Sequence, residues 1–408
     1  MDENNLSSVE KTVRLQGHLV DSDIMSSVLD RIVSLEGKFR FEQFDIGRTN
    51  IDPSVTTLTV FARDNAHMDQ IMGELTQLGA FVEDENVLVE RAPADCVVPE
   101  RFYSTTNHRT AIKMEGTWIE VERQMMDSVI VVSPDFKKAS CRKLRYVKKD
   151  DCVVVGTRGI HVMPMEKSRK RSVFDFMNSM VSSERNITVF VRQAATIMRE
   201  AKSSGGRICV VPGPAVIHTG GSVHLASLIR KGYVDGLLSG NALAVHDVET
   251  MLFGTSLGVS LESGKSVEGG HRHHMAAINY INTYGGLRGL FEKGLLTSGI
   301  FFECLKNDVP YALAGSIRDD GPIPDVITDM RTAQERYIEL LEDVDLVLML
   351  ASMLHSIAVG NVLPSYVRTI CVDINPAAVT KLVDRGSFQA FGIVTDVSLF
   401  LRVLDLLL

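Results

Sequence analysis

A chain of 408 residues is too long for one ordinary core, so two or three domains are expected. With 45% apolar and 23% charged residues, the composition is that of a soluble globular protein. The net charge of −8 argues against a general nucleic-acid-binding protein. No apolar run reaches the roughly 18 residues of a membrane span, so no membrane partner is expected.

The beginning of the chain and its cysteines indicate a compartment. The polar start has the features of neither a signal peptide nor a transit peptide. The six cysteines are scattered without C-x-x-C spacing, which indicates neither a zinc knuckle nor a redox pair. We therefore expect a cytoplasmic protein in a reducing environment.

Residues 1–93 show a β-α-β-β-α-β pattern. The alternation predicts strands at 13–20, 39–46, 57–62 and from 81 onward, and helical spacing predicts helices at 24–35 and 67–78. This order predicts a ferredoxin-like α+β domain. The domain carries no catalytic cluster, and such domains often pair sheets between subunits or bind small effectors. We expect a homo-oligomer, while a plain packing domain is the alternative.

Residues 94–183 are predicted to be a β-rich middle region. Its candidate strands are 111–114, 118–122, 128–132, 144–147 and 152–155. A basic run at 167–171 precedes a predicted helix at 173–180. Such a run is usually a solvated linker, although it could instead meet an anionic cofactor or a partner.

Residues 184–408 alternate strands and helices, which predicts a Rossmann-like parallel sheet covered on both faces. The predicted strands are 207–211, 234–238, 311–317, 346–351, 369–373 and 389–394, with a helix at 326–341. Ligands of such sheets bind at the carboxyl ends of the strands. That rule selects five loops: 212–219, 239–242, 318–322, 352–355 and 395–397.

Asp373 is the most informative residue of this region. It ends an apolar strand about 20 residues after the turn Ser352-Met353-Leu354-His355, which is the spacing of a dinucleotide-binding unit. The pyrophosphate would lie over the backbone N–H groups of that turn, and the acid would accept the ribose hydroxyls. The turn lacks G-x-G-x-x-G. Alternatively, Asp373 only caps the next helix, predicted at 375–385.

The other strand-end loops carry candidate contacts. Asn241, followed by Ala242, could contact a cofactor or simply cap a helix. The dense charge of Arg318-Asp319-Asp320 fits a substrate or ribose contact or a surface turn. Asp396, followed by Val397, could cap the last helix or approach the cofactor.

A polar, glycine-rich loop covers residues 262–274. His271 or Glu262 could move a proton, and Arg272 could clamp a carboxylate through two parallel hydrogen bonds. His271 and His274 could share a face as metal ligands, but no carboxylate is placed to complete a site, so no metal is predicted. A solvated loop is the plain alternative. A P-loop is excluded because the glycine needed five residues before Gly264 is absent.

Long segments of the chain resemble a known family. The first domain resembles the conserved region of lysine-ketoglutarate reductase/saccharopine dehydrogenase enzymes, and the remainder resembles archaeal-type ornithine cyclodeaminase. The segments that carry the resemblance are 211–219, 238–242, 268–271, 314–322 and 372–376.

The resemblance implies conversion of L-ornithine to L-proline and ammonia with tightly held NAD. Hydride leaves Cα of ornithine, the δ-amine closes the ring, ammonia departs and the hydride returns. The NAD contacts that it implies fall on Asn241, Ala242, Asp320, the 352–355 turn and Asp373.

From side-chain chemistry we predict Arg272 or Arg318 on the substrate carboxylate and Asp319 or Asp320 near an amine. The predicted proton carrier is His271 or Glu262. The alternatives are an NAD-linked amino-acid dehydrogenase of the lysine/saccharopine type and a non-catalytic NAD-binding regulator.

Overall fold

A computed structural model describes residues 9–20, 22–47, 52–164, 187–267, 270–385 and 390–408, without the side chains of residues 271, 384 and 385. The chain divides into two compact units, Met1–Asp175 with Val362–Tyr366 and Phe176–Asn361 with Val367–Leu408. The predicted basic run and the helix at 173–180 lie outside the described residues. The predicted domain limits at 93 and 183 stay a prediction.

The first domain has the predicted ferredoxin-like arrangement. Its elements are β1 (Val9–Gly17), α1 (Ile24–Ser34), β2 (Lys38–Asp45), β3 (Ser54–Ala62) and α2 (Asn65–Gln77). The antiparallel sheet has the order β1-β3-β2, so β2 lies at its edge. The predicted last strand is reduced to one bridge between Phe81 and Arg14. Both helices cover one face of the sheet, where Leu58, Val60 and Ile71 are fully buried.

A second, seven-stranded sheet forms the β-rich region, in the order β10-β5-β6-β8-β7-β9-β4. Its strands are β4 (Leu88–Arg91), β5 (Arg109–Met114), β6 (Thr117–Glu122), β7 (Val129–Val132), β8 (Ala139–Arg142), β9 (Cys152–Val155) and β10 (Ile160–Met163). Strands β4, β8 and β10 were not predicted because their four-residue sequences mix polar and apolar residues, whereas the equally short β7 and β9 are continuous apolar runs. The predicted strand at 144–147 is wrong, since Leu144–Tyr146 forms a 3-10 turn.

The second unit contains the predicted parallel sheet. Its strands are β11 (Arg207–Pro212), β12 (Gly236–Gly240), β15 (Tyr311–Ala314), β16 (Val326–Ile327), β17 (Val344–Leu350), β18 (Arg368–Asp373) and β19 (Ala390–Val394). They lie in the order β16-β15-β12-β11-β17-β18-β19, and every neighbouring pair is parallel. Without the short edge strand β16, this is the 3-2-1-4-5-6 order of a Rossmann fold.

Helices connect these strands. They are α3 (Ile187–Ser203), α4 (Ala215–His218), α5 (Ser222–Arg230), α6 (Asn241–Phe253), α7 (His273–Thr283), α8 (Leu287–Glu292), α9 (Ile300–Lys306), α10 (Met330–Leu341), α11 (Leu354–Gly360), α12 (Pro376–Arg385) and α13 (Val397–Leu407). A two-stranded hairpin, β13 (Thr255–Ser256) and β14 (Val259–Ser260), follows α6. In the part of the chain that is described, no helix has the length and apolarity needed to cross a membrane.

Two boundaries in this unit differ from the prediction by three or more residues. The strand expected at 311–317 ends at Ala314, and the helix expected at 326–341 begins only at Met330. Val326 and Ile327 instead pair with Leu313 and Ala314. Asp329 explains where the helix begins, because its carboxylate accepts the backbone N–H of Thr332 at 2.8 Å.

Candidate active site

All five predicted loops leave the carboxyl edge of the parallel sheet. Pro212 of β11 pairs with Leu350 of β17, and Gly240 of β12 pairs with Ala314 of β15. On the other side, Asp373 of β18 pairs with Val394 of β19. The strand order reverses between β11 and β17, and a Rossmann fold binds its ligand outside the strand ends at such a point.

The backbone is unusually close-packed at this reversal. The N–H of Gly213 donates to the carbonyl of Leu350 at 2.8 Å. A Cβ atom on Gly213 would lie 2.0 Å from the carbonyl oxygen of Ala351, so only glycine fits there. Ala351 itself has φ of 49°, a left-handed conformation that is uncommon outside glycine. Strained backbone of this kind concentrates at functional sites.

His355 is fixed beside the end of β12 by a side chain of α10. Its Nδ1 lies 3.1 Å from the hydroxyl of Tyr337, which in turn donates to the carbonyl of Ser239 at 2.6 Å. A Cβ atom on Gly240 would lie 2.5 Å from Nε2 of His355. Burial lowers the pKa of His355, while the nearby Asp319 carboxylate acts in the opposite direction. The ring therefore belongs to the strand-end crevice.

Asn241 does not cap its helix, so the capping alternative is wrong. Gly240 is the N-cap of α6, and no side chain caps it. The buried amide oxygen of Asn241 instead accepts the backbone N–H of Ile323 at 3.1 Å. This bond ties the 318–323 loop to the start of α6, where Ala242 follows.

The charged loop after β15 is ordered by its own side chains and reaches the beginning of α7. The Asp319 carboxylate accepts the backbone N–H of Ser316 at 2.7 Å, while Arg318 is exposed. Asp320 is 71% exposed and lies 3.7 Å from Nε2 of His274. The structure thus joins two clusters that sequence reasoning treated as alternatives.

The remaining residues of the 262–274 loop are less constrained. Glu262 is exposed in the turn after β14, and Arg272 is exposed immediately before α7. The side chain of His271 and residues 268 and 269 lie outside the described residues. The structure brings His274, rather than Glu262, to the Arg318–Asp320 loop.

Asp373 ends β18, Asp396 follows the neighbouring β19, and the two carboxylates make different contacts. Asp373 is half-buried, and its carboxylate accepts the backbone N–H of Asn375 at 2.8 Å. Asn375, not Asp373, accepts the N–H of Ala377 in the first turn of α12. Asp396 caps α13 by accepting the N–H of Leu399 at 2.9 Å. The capping interpretation is therefore confirmed for Asp396 and is wrong for Asp373.

The cofactor turn at 352–355 has both buried and exposed members. Ser352 is buried, whereas Met353 and Leu354 are exposed at the start of α11. One turn later, the fully buried Ser356 hydroxyl has no hydrogen-bond partner within the described protein. The hydroxyls of Ser352 and Ser356, with the carboxylate of Asp373 on the next strand, offer polar contacts suited to a dinucleotide.

Sequence reasoning missed a buried polar network on α6. The fully buried Glu249 carboxylate accepts hydrogen bonds from the His246 ring at 2.8 Å and from the N–H groups of Leu257 and Gly258 at 3.1 and 2.9 Å. Burial alone would raise the pKa of Glu249, but these hydrogen bonds hold it below its usual value. The i, i+3 spacing of His246 and Glu249 was the only local signal.

The network extends from Glu249 in two directions. The Thr255 hydroxyl donates to Glu249 at 3.0 Å and lies 2.9 Å from Nδ1 of His273, the first residue of α7. On the other side, the His246 and His218 rings meet edge to face at 4.8 Å, and Nδ1 of His218 lies 2.7 Å from the Ser256 hydroxyl. Glu249 thereby anchors both ends of the segment that leads from α6 to α7.

Asp247 lies between His246 and Glu249 in the sequence and binds the beginning of α9. Its buried carboxylate accepts the N–H groups of Ile300 and Phe301, the first residues of α9, at 3.0 Å each. Burial raises the pKa of Asp247 to about 6, although both hydrogen bonds oppose the rise. Among the described residues, no group of three or more His, Cys, Asp or Glu side chains could hold a metal ion.

Three family profiles match consecutive parts of the chain. Residues 10–108 match the LOR/SDH bifunctional enzyme conserved region. Residues 109–191 and 192–404 match the first region and the Rossmann fold of the carboxyl-terminal part of ArgZ-like arginine dihydrolases. An ornithine cyclodeaminase of Methanocaldococcus jannaschii is 53% identical over 97% of this chain and 95% of its own length. The chain belongs to the archaeal-type ornithine cyclodeaminase family.

Two solved structures of the family show the same architecture. Cyanobacterial ArgZ, an arginine dihydrolase, superposes with a TM-score of 0.84 at 42% identity, over 98% of this chain and 58% of ArgZ. AgrE, solved as a ternary complex with ornithine and NAD+, superposes with a TM-score of 0.54 at 43% identity, over 99% of this chain and 58% of AgrE. The Rossmann fold predicted from the strand pattern is thereby confirmed.

Proposed function

We propose that this chain is an ornithine cyclodeaminase that uses NAD to convert L-ornithine to L-proline and ammonia. The observation that carries the proposal is the 53% identity to an enzyme of that name over 97% of the chain. The AgrE complex with ornithine and NAD+ supports both ligands. An arginine dihydrolase activity is not proposed, because the chain spans only 58% of ArgZ.

The residues at the strand reversal fit a dinucleotide. Gly213 and Gly240 let the strand ends pack directly against the 351–355 turn, because a Cβ atom on either residue would collide with Ala351 or His355. The half-buried Asp373 carboxylate can accept ribose hydroxyls, and its charge would repel a 2′-phosphate, which favours NAD over NADP. We assign Asn241, Ala242, Asp320, the 352–355 turn and Asp373 to this ligand. We also propose Asp396 and Val397 as NAD contacts, but we rank them below the others because the Asp396 carboxylate already caps α13.

The protein supplies orientation, and NAD, when bound, supplies reversible hydride transfer at Cα of the substrate. We place the substrate where the Arg318–Asp320 loop meets His274. Arg318 or Arg272 can bind its carboxylate through two parallel hydrogen bonds. Asp319 is held by Ser316 and can accept a proton from an amine.

Glu262 and His271 remain our proposed proton carriers in the 262–274 loop. The Glu249 network orients that loop, because it fixes both Leu257 and Gly258 before the loop and, through Thr255, His273 near the end of the loop. Orientation of this kind matters because a small displacement of an acid or base lowers the rate of proton transfer strongly. Glu249 and His246 are accordingly positioning residues.

We further propose that the enzyme is cytoplasmic and self-associates. Six free thiols among the described residues fit a reducing compartment. Nucleic acid is not a proposed partner.

One experiment separates the cyclodeaminase from its alternatives. The purified full chain is examined by mass spectrometry for bound nucleotide and then given ornithine deuterated at Cα. We expect bound NAD, proline that retains deuterium at Cα, stoichiometric ammonia and no net NADH in the absorbance record. Net NADH would indicate an amino-acid dehydrogenase, and bound NAD without turnover would indicate a regulator. Complete loss of the label to solvent would exclude internal hydride return.

A further inference from the structure

Strand β2 is an open edge that exposes aromatic rings. Within the described residues it pairs only with β3, and seven of its eight residues are exposed. Phe41 is 39% exposed and Phe44 36% exposed. The rings of Phe39 and Phe41 lie 5.8 Å apart, and those of Phe41 and Phe44 stack at 5.7 Å. A row of exposed rings beside unpaired backbone groups is a template for another strand.

A β-bulge places these rings on one face. Phe41 pairs with Leu58 and Gln43 pairs with Thr57, so Glu42 is the extra residue. Because of this insertion, Phe39, Phe41 and Phe44 share a face although their spacing is not even. The opposite face carries Lys38, Arg40, Gln43 and Asp45.

The order of residues around the bulge is self-complementary. Three residues precede the Phe41–Glu42 bulge and three follow it. An antiparallel copy related by a two-fold axis at the bulge would place Lys38 opposite Asp45 and Phe39 opposite Phe44. Both pairs occur twice because the axis repeats them. Opposite charges and aromatic rings are the cross-strand pairs that stabilise a sheet.

We propose that β2 pairs with β2 of a second copy of this chain, antiparallel and with the two-fold axis at the Glu42 bulge. The proposal specifies the surface of the self-association proposed above and rests on it. The joined sheets would have six strands, and the paired backbone groups would no longer face water. A bulge and charges can also guard an edge against pairing, but a guarded edge does not require two exposed phenylalanines.

The register is tested with charge reversals on exposed side chains. Lys38→Asp places Asp opposite Asp45, and Asp45→Lys places Lys opposite Lys38. Each variant should weaken association of the full chain about tenfold or more in sedimentation experiments, because like charges then face each other twice. Mixing the two variants, or combining both changes in one chain, should restore the parental dissociation constant. Lys137→Asp, on an exposed turn after β7, is the matched charge control.

Each outcome has a defined meaning. A parent chain that sediments as a monomer at micromolar concentration overturns both the self-association and this surface, while leaving the catalytic proposal intact. A parent that associates while both single variants associate equally well overturns the β2 surface alone. Loss of association without restoration on mixing overturns the two-fold register. Thermal unfolding of every variant verifies that the monomer is intact.

Discussion

Helix α6 of the Rossmann domain buries charged side chains, and strand β2 of the ferredoxin-like domain exposes aromatic ones. Both elements therefore depart from the usual distribution of side chains. The helix buries His246, Asp247 and Glu249, whereas the strand exposes Phe41 and Phe44. The buried carboxylates of α6 receive hydrogen bonds from backbone N–H groups within the same chain.

Within the described part of one copy, Phe41 and Phe44 of β2 remain 39% and 36% exposed. The two elements should therefore affect different measurable quantities. A buried charge satisfied internally affects the free energy of unfolding, whereas an exposed apolar edge affects association. The charge reversals on β2 test the effect on association, and substitutions on α6 test the effect on unfolding.

The largest effect is expected for Glu249→Ala. The substitution leaves the His246 ring, the Thr255 hydroxyl and two backbone N–H groups without their acceptor, which should lower the free energy of unfolding by about 3–5 kcal/mol. Turnover should fall as well, because the 255–274 segment loses its anchor. Urea unfolding and a proline assay measure the two effects. Glu249→Gln keeps the volume and one acceptor and should cost less; an unfolding free energy unchanged by Glu249→Ala would break the comparison.

A smaller, pH-dependent effect is expected at Asp247. Its folded pKa, about 6, exceeds its ordinary value of 3.8, so it stabilises the fold at low pH and this contribution is lost as the pH rises through about 6. Asp247→Asn removes the titration. The unfolding free energy of the variant minus that of the parent should therefore increase by about 2–3 kcal/mol between about pH 4 and about pH 7. A difference that does not change with pH would show that burial does not disfavour this carboxylate.

The smallest effects concern two half-buried carboxylates that follow strands. Asp373→Ala should weaken NAD binding by about 1–3 kcal/mol, because a charge-assisted hydrogen bond to the ribose is lost. Asp396→Ala is its matched control: loss of the cap on α13 should cost about 1 kcal/mol of stability and leave NAD affinity unchanged. Calorimetric titration and thermal unfolding measure both. Equal weakening of NAD binding by the two variants would make Asp396 a cofactor contact.

The sequence predicted what local periodicity and strand–turn order determine. Apolar runs ending in Asp373 and in Leu238 predicted parallel strands and their ligand-binding edge, and all five loops lie there. Contacts between residues far apart in the chain could not be predicted from local patterns. The bond from Ile323 to Asn241 joins residues 82 positions apart, and no pattern near Asn241 distinguishes it from an ordinary cap.

The short elements and the buried acids were missed for a related reason. Strand β16 has two residues, too few to show a period, and it is defined by its pairing with β15. Glu249 resembles a surface residue of an amphipathic helix until the hairpin that covers it is known. The close approach of Gly213 to Ala351 is likewise a property of the assembled sheet.

The two acids of α6 also differ in how early they can act during folding. Glu249 meets the N–H of Gly258 only 9 positions ahead, whereas Asp247 meets that of Ile300 across 53 positions. Closing the longer loop costs about 1.5 kcal/mol more chain entropy. The β13–β14 hairpin, which Glu249 binds, can therefore form together with α6. The hydrogen bonds from α9 to Asp247 form only after the intervening helices have packed. In a transition-state analysis, substitutions at Glu249 should slow folding, and those at Asp247 should mainly speed unfolding.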